Sequence, residues 1–352
     1  MSRLLDVPEG GQTYSGAGVS IEAGDEFVRQ ISPLVASTSR PGVLEGIGGF
    51  GGLFHVGAAG SYRDPVLVSS ADGVGTKLEV ARLAGRYDTV GLDLVAMLVD
   101  DLACLGAEPL FLLDYVAVGR LNEGRLVELV RGITEGCRLA GCALLGGETA
   151  EHGGVMGDDD LDVAGFAVGV LERGEHLGSE RVRVGDTLIG LGSPGLRSNG
   201  YSLARRVLLE GRDGDAPAYV GSSRSLFEEL LLPSVIYAPG VIGARDLLGA
   251  DLHAVAHITG GGIPGNVSRV LPTGLDARID LESFPTPEIF FEIQRRGSVS
   301  AHEMVRVFNC GLGMVLAVES SRAKDTLTHF SALGYDPYVV GDIVEGSGEV
   351  RL

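Results

Sequence analysis

The sequence predicts a two-domain chain in which each domain mixes helices and strands. Its 352 residues are about twice the usual single-domain length. Strand and helix signals alternate in both halves, and a polar, charge-rich stretch near Arg173–Gly185 separates them. Hydrophobic residues make up 45% and charged residues 21%, which is ample for buried cores and speaks against global disorder. The boundary falls at about residues 172–184, and the domains are taken as 1–172 and 173–352.

In the polar, Gly-rich first 60 residues, one short helical stretch covers Asp25–Leu34. The run Pro65-Val-Leu-Val-Ser-Ser70 predicts a strand that leads into Asp72-Gly-Val-Gly-Thr-Lys77, followed by a helix over Asp93–Leu105. Pro109–Val118 is apolar enough for a strand buried on both faces. Residues 124–140 read as an amphipathic helix, since Leu126, Leu129, Val130, Ile133 and Cys137 keep the helical period. Cys142–Leu145 and Asp162–Leu171 are two further strands around an acidic loop that holds Asp158-Asp-Asp160. The second half opens with a strand at Thr187–Leu191. Helices follow at Ser202–Glu210, Val235–Leu248 and Arg322–Leu333, with strands at His253–Ile258, Gly313–Val318 and Tyr338–Ile343.

Composition narrows the function. Lys and Arg total 28 against 47 Asp and Glu, a net charge of −19, so the overall field does not suit a nucleic-acid backbone or an anionic membrane. An anionic ligand would need local cations or a metal. Only Lys77 and Lys324 are lysines, which makes a lysine inside a Gly-rich loop informative. Gly accounts for 55 residues, roughly twice the usual share, clustered between apolar runs where backbone can approach a ligand closely. The four cysteines, Cys104, Cys137, Cys142 and Cys310, show no zinc spacing and read as reduced and buried. Neither a leader-like segment at Met1–Asp6 nor a run of about 18 apolar residues is present.

Several strings carry chemistry. The Walker A, H-E-x-x-H and G-x-S-x-G motifs are absent. Gly46, Gly48 and Gly51 match G-x-G-x-x-G, but no strand precedes them. A glycine loop whose N–H groups, at Gly48, Gly49 and Gly51, close on a phosphate is the better functional reading. Asp72-Gly73-Val-Gly75-Thr76-Lys77 sets a carboxylate, bare backbone, a hydroxyl and an ammonium side by side, as a magnesium–nucleotide site requires. On the 93–105 helix, Asp93 and Asp100 lie within about 20° of each other and Asp101 within about 80° of Asp93. Carboxylates on an otherwise apolar helix need a cation. Gly146-Gly-Glu148-Thr ends a strand as Asp72 does, so Glu148 could complete the metal shell. In the second half, Arg197-Ser-Asn199-Gly precedes a helix, and Gly260-Gly261-Gly262 offers a second anion loop. Cys310 and His257 read better as core residues than as a nucleophile and a base.

The combined strings resemble a known family. They include Ser70-Ala-Asp-Gly-Val-Gly-Thr-Lys77, Leu92-Asp-Leu-Val-Ala-Met97, Gly146-Gly-Glu-Thr-Ala-Glu151, Ser198-Asn-Gly-Tyr-Ser202, His257-Ile-Thr-Gly-Gly-Gly262 and Phe308-Asn-Cys-Gly-Leu-Gly-Met314. In this order, over nearly the whole chain, they are similar to the phosphoribosylformylglycinamidine cyclo-ligase family, also called aminoimidazole ribonucleotide synthetases. The resemblance implies two α+β domains, with the N-terminal sheets of two subunits joined in a homodimer. It implies ATP-dependent closure of formylglycinamidine ribonucleotide to aminoimidazole ribonucleotide, with ADP and phosphate released, in a cytoplasmic enzyme of purine biosynthesis that uses Mg²⁺. Nucleic acid and membrane play no part. By the same resemblance Asp72, Asp101 and Glu148 hold Mg²⁺ with Asp93 in support, Lys77 meets the transferred phosphoryl group, and Asn199 joins Lys77, Asp101 and Glu148 as catalytic. Gly73, Gly75, Thr76, Arg197 and the glycine loops bind phosphates.

Two departures touch the implied site: relatives often carry His where this chain has Arg197, and Asn where it has Asp100. Arg197 is therefore expected to act as a fixed charge on phosphate, because a guanidinium does not cycle protons near neutrality. Rival readings fit less well. A hydrogenase-maturation relative would end in Cys, whereas the sequence ends Arg351-Leu352, and a selenophosphate synthetase would need a reactive residue before Cys104. Thiamine-monophosphate kinases lack the cyclo-ligase strings, and a non-catalytic nucleotide-binding subunit would not need to keep the acidic set.

Overall fold

A computed structural model describes residues 20–352; the Met1–Asp6 segment and the start of the 1–172 domain lie outside the described residues. Helix α1 (Ile21–Ala36) starts at Ser20, whose hydroxyl accepts from the Ala23 N–H. The short antiparallel pair β1 (Val43–Glu45) and β2 (Leu53–Phe54) brackets the Gly46–Gly52 loop. Next come β3 (Pro65–Gly73), α2 (Lys77–Ala84), α3 (Asp88–Cys104), β4 (Glu108–Val118), α4 (Glu123–Ala140), β5 (Ala143–Glu151) and β6 (Leu161–Glu172). The strands form a four-stranded sheet in the order β3-β6-β4-β5. Its β4–β5 pair is parallel and the others antiparallel; α4 is the crossover that a parallel pair needs.

The second sheet has six strands in the order β12-β9-β11-β7-β10-β8. Its elements are, in chain order, β7 (Thr187–Gly192), α5 (Tyr201–Leu208), α6 (Leu226–Leu230), α7 (Ala238–Leu248), β8 (Leu252–His257), α8 (Gly262–Val267) and β9 (Leu275–Ile279). They continue with α9 (Glu288–Gly297), α10 (Ala301–Val307), β10 (Leu312–Val318), α11 (Ala323–Ala332), β11 (Pro337–Glu345) and β12 (Val350–Arg351). Each residue of β8 and of β10 is buried, and alternate side chains feed two cores. Val255, Met314 and Leu316 join the large core that runs through the N-terminal helices, while Ala254, Ala256 and Val315 join a smaller core with Ile263 and Val267 of α8. The two-domain α+β architecture is thus present.

Helix α3 holds the halves together. It lies over β3 and β6 on one side and against α7 and β8 on the other. Its neighbour α4 approaches backbone to backbone, since a Cβ on Gly132 would stand 1.8 Å from the Asp88 carbonyl oxygen and one on Gly91 would stand 2.4 Å from that of Leu129. Only glycine permits this packing. Among the described residues, no helix covers the opposite face of the N-terminal sheet. Cross-strand register puts Leu67, Phe166, Leu113 and Tyr115 on that face, with Leu67 58% and Phe166 49% exposed.

The expected elements are all found, with shifted ends. Helix α3 begins five residues before Asp93, and β5 runs on through the Gly146-Gly147 pair to Glu151, because its ladder with β4 continues there. Elements not anticipated are β1, β2, α2, α6, β9, α9, α10 and β12; β1 is a three-residue strand directly before Gly46, where no strand was expected. Short amphipathic or half-polar segments such as Glu288–Gly297 gain their order from tertiary packing more than from local propensity. Among the described residues, no helix is long and apolar enough to cross a membrane.

Candidate active site

The acids of α3 do meet cations, but mostly protein ones. Lys77, at the first turn of α2, is fully buried and forms an ion pair with Asp93 at 2.6 Å. Its ammonium also donates to the carbonyl oxygens of Arg197 at 3.0 Å and Leu232 at 2.8 Å. A lysine has three donors, and all three are engaged. Asp93 also accepts from the Ser234 N–H and hydroxyl. One helix face further along, Asp100 is fully buried and pairs with Arg197 at 2.9 Å while accepting from the Tyr237 and Ala238 N–H groups. Burial pushes the Lys77 ammonium down and the Asp100 carboxyl up, and each partner's charge opposes the shift.

Three expectations are corrected by this geometry. Asp93 faces Lys77 and not a metal site. Lys77 has no free donor for a transferred phosphoryl group. Arg197 is 1% exposed and stacks 5.0 Å from the Tyr237 ring centre, so it offers no solvent-facing charge to phosphate. The physical reason is shared: α3 lies between two domains, so its carboxylates had to be neutralised from within.

Asp101 differs. It lies off the buried face, 44% exposed, and accepts from His257 Nδ1 at 2.9 Å and from the Ser70 hydroxyl at 3.2 Å. Against the effect of burial, these hydrogen bonds hold its carboxyl below the ordinary value. Asp72, at the end of β3, is exposed, and its hydrogen bond comes from the N–H of Gly73. Although the residue is exposed, partial desolvation of its carboxyl, together with the Asp101 charge, pushes its pKa up. Two hard carboxylate oxygens that feel each other and lack a paired cation suit Mg²⁺.

Glu148 is not beside them. Asp72 pairs across to Gly165, Gly165 to Asp114, and Asp114 to Gly147; three strand spacings put Glu148 roughly 14 Å from Asp72. Within one chain it cannot share an ion with Asp72, so the expected three-acid shell is reduced to two. Instead Glu148 lines a cavity of about 370 Å³ beneath α1, together with Gly48, Gly49, Asp114 and apolar residues including Phe27 and Ile31. Asp114, which sequence reasoning missed, has its carboxyl pushed up to about 7 by burial. A single acid in the apolar run Phe111-Leu-Leu-Asp-Tyr115 was the available signal.

The remaining residues divide. Gly75, at φ +67°, and Thr76 border an open cavity of about 430 Å³, and the Thr76 hydroxyl lies 3.3 Å from that of Ser202. Gly51 is exposed in the 46–52 loop and Gly73 closes β3. Gly260 and Gly261 are exposed, whereas a Cβ on Gly262 would stand 1.9 Å from the Val305 carbonyl, so the third glycine serves packing. Asn199 and Ser198 each carry a buried side-chain oxygen without a partner, and Gly260 approaches the Asn199 amide. Between the domains, a cavity of about 480 Å³ is walled by Ser70, Asp101, His257, Asn266 and Arg269. Cys310 is buried, as expected of a core residue, and burial pushes its thiol up to about 12.

Two family models match the chain: the AIR synthase related protein N-terminal domain over residues 58–171 and its C-terminal domain over 183–352. The phosphoribosylformylglycinamidine cyclo-ligase of Geotalea daltonii is 49% identical over 335 residues, 95% of each chain. That of Trichlorobacter lovleyi is 50% identical over 333 residues, 94% of each. Among solved structures, a thiamine-monophosphate kinase from Stenotrophomonas maltophilia superposes with TM-score 0.68 at 19% identity, covering 92% of this chain and 95% of its own. The hydrogenase maturation protein HypE in complex with ATP gives 0.62 at 16%, covering 98% and 92%. At these identities the structures establish the fold alone.

Two predictions follow from the buried acids. Lys77→Met is expected to cost about 3–5 kcal/mol of stability, the range for stranding one member of a buried pair, read as a lowered urea midpoint. A change within about 0.5 kcal/mol, typical of surface sites, would take Lys77 out of the interdomain pair. For Asp114, the folded value of about 7 exceeds an unfolded value of about 3.9. The folded chain then holds more protons between those limits, so stability falls as pH rises through that window. Asp114→Asn is expected to flatten thermal midpoints measured between about pH 4 and pH 8; an unaltered slope would show that Asp114 titrates normally.

Proposed function

The chain belongs to the phosphoribosylformylglycinamidine cyclo-ligase family, and from that premise we propose that it closes formylglycinamidine ribonucleotide to aminoimidazole ribonucleotide at the expense of ATP. In that reaction ATP phosphorylates the formamide oxygen. The amidine-side nitrogen then attacks the activated carbon, and phosphate leaves with the former formamide oxygen. The observation that carries the reading is the interdomain cavity with Asp101, His257 and Ser70 in its wall. Its volume of about 480 Å³ is in the range of small-molecule sites.

Asp72 and Asp101 are the residues that would hold Mg²⁺, which supplies charge neutralisation to the ATP phosphates when bound. Arg269 is the one arginine in that cavity wall, and it makes no ion pair among the described residues. It is proposed to meet the 5′-phosphate of the ribonucleotide. The unpartnered oxygens of Ser198 and Asn199 are proposed to accept from substrate N–H groups. The cavity beneath α1, with Gly48, Gly49 and Glu148 at its rim, is proposed for ATP, and Gly75 and Thr76 remain candidates for its phosphates. The same reading keeps the 1–172 and 173–352 division, supported by the two separate sheets, and puts the protein in the cytoplasm.

The test is ADP release measured with and without formylglycinamidine ribonucleotide. Release that depends on the ribonucleotide is expected. Asp101→Asn is expected to raise the Mg²⁺ needed for half-maximal rate, and Arg269→Ala to raise the ribonucleotide KM at unchanged KM for ATP. ATP turnover indifferent to the ribonucleotide would overturn the reading.

We also propose a homodimer joined through the N-terminal sheet. The face carrying Leu67, Phe166, Leu113 and Tyr115, which no helix among the described residues covers, is an apolar patch that a second copy would cover. Light scattering is expected to give twice the monomer mass at micromolar concentration, and Phe166→Glu to give monomers. A monomeric parent protein would contradict it.

A further inference from the structure

Arg197 stands between Asp100 and His257 in the buried seam. Arg197 Nη2 donates to Asp100 Oδ2 at 2.9 Å and to His257 Nε2 at 2.8 Å, and Nη1 donates to the Val235 carbonyl at 2.8 Å. A guanidinium has donors and no acceptor, so the His257 nitrogen that faces it must be the unprotonated one. The ring proton then sits on Nδ1, which points at Asp101 Oδ1 at 2.9 Å. Arg197 also holds φ +62°, a conformation that a non-glycine residue keeps only where its surroundings over-determine it. Neither the distances nor the strain is needed merely to fill space.

We infer that Arg197 is a positioning residue: paired with Asp100, it fixes His257 as the Nδ1–H tautomer and so sets the direction of the Asp101 carboxylate. The pairing also keeps the interior neutral. His with Asn is a neutral pair, and Arg with Asp is a balanced one, so each leaves no net charge in the interior. Either single exchange would bury an uncompensated charge. The groups around His257 are consistent with this. Asp101 lies on one side and Arg197 on the other, with Asp100 behind the guanidinium at 3.9 Å from Nε2. The consequence for Asp101 rests on the reading of that residue as a Mg²⁺ ligand; the tautomer does not.

The experiment compares the parent with Arg197→Met/Asp100→Asn, which removes both charges while Asn keeps an oxygen for the Tyr237 and Ala238 N–H groups. Arg197→His/Asp100→Asn is measured beside it. Nitrogen NMR of His257 is expected to show Nε2 unprotonated and Nδ1 protonated in the parent, and a loss of that single tautomer in the Met/Asn protein. Half-saturating Mg²⁺, from activity and from direct titration of Mn²⁺ as a paramagnetic probe, is expected to rise roughly ten-fold or more, the usual effect of losing an outer partner of a metal ligand. Thermal midpoints are expected to fall in the single variants Arg197→His and Asp100→Asn and to recover in the His/Asn double. A parent His257 protonated at Nε2, or a Met/Asn protein with unchanged tautomer and unchanged metal affinity, overturns the inference. So does failure of the double exchange to recover what the singles lose. If Asp101→Asn leaves the metal requirement unchanged while the tautomer shifts as expected, the metal reading fails and the Arg197–His257 assignment stands.

Discussion

Everything at the centre of this protein depends on how the carboxylates of α3 are neutralised. Asp93 and Asp100 stand seven residues apart on one face of a helix that lies between two sheets, where an unpaired charge is prohibitively costly. Lys77 arrives from the turn after β3, and Arg197 from the loop before α5. The two pairs are also tied to each other, because the Lys77 ammonium donates to the Arg197 carbonyl. The stretch from Leu232 to Ala238 completes both, through the Leu232 and Val235 carbonyls and the Ser234, Tyr237 and Ala238 N–H groups. Domain packing and charge balance are therefore one arrangement. Shifting either domain along α3 would separate partners that have no substitute.

That arrangement explains why Asp101 is available for chemistry when its neighbours are not. One residue beyond Asp100, its side chain turns about 100° around the helix axis, out of the buried seam and into the wall of the interdomain cavity. It is then held from outside by Ser70 on β3 and from inside by His257 at the end of β8. The carboxylate belongs to one domain and its orienting histidine to the other. Packing of the two halves brings these groups together, and the ion pairs fix how the halves pack.

Much of this was legible in the sequence, and what was not has a definite cause. Strands such as Pro109–Val118 announced themselves through unbroken apolar runs, and α4 through its period, so the order of the main elements followed directly. The acidic residues on α3 rightly demanded cations. Which cations they would find was invisible, because Lys77 and Arg197 lie 16 and 97 residues from Asp93 and Asp100 in the chain and meet them only through tertiary packing. Glu148 misled for a related reason. It ends its strand as Asp72 does, but nothing local reveals that two strands intervene in the sheet. The triple glycine misled more mildly: identical residues at 260, 261 and 262 serve two purposes, and only the contact of Gly262 with the Val305 backbone separates them.

The seam also bears on how anionic ligands are met in a chain of net charge −19. Two cations that the sequence offers to phosphate are committed to Asp93 and Asp100, so their charge is cancelled before any ligand arrives. On the proposed reading, what remains near the interdomain cavity is Arg269, the backbone N–H groups of the exposed glycine loops, and a metal held by Asp72 and Asp101. Those two acids then have opposite roles with and without a cation. Alone they add to the negative field and repel a triphosphate; with a divalent ion between them, the group becomes an attractive centre. On that reading a requirement for Mg²⁺ follows from the same balance that locks the domains: with Lys77 and Arg197 committed to holding the halves together, a metal supplies positive charge that the triphosphate needs.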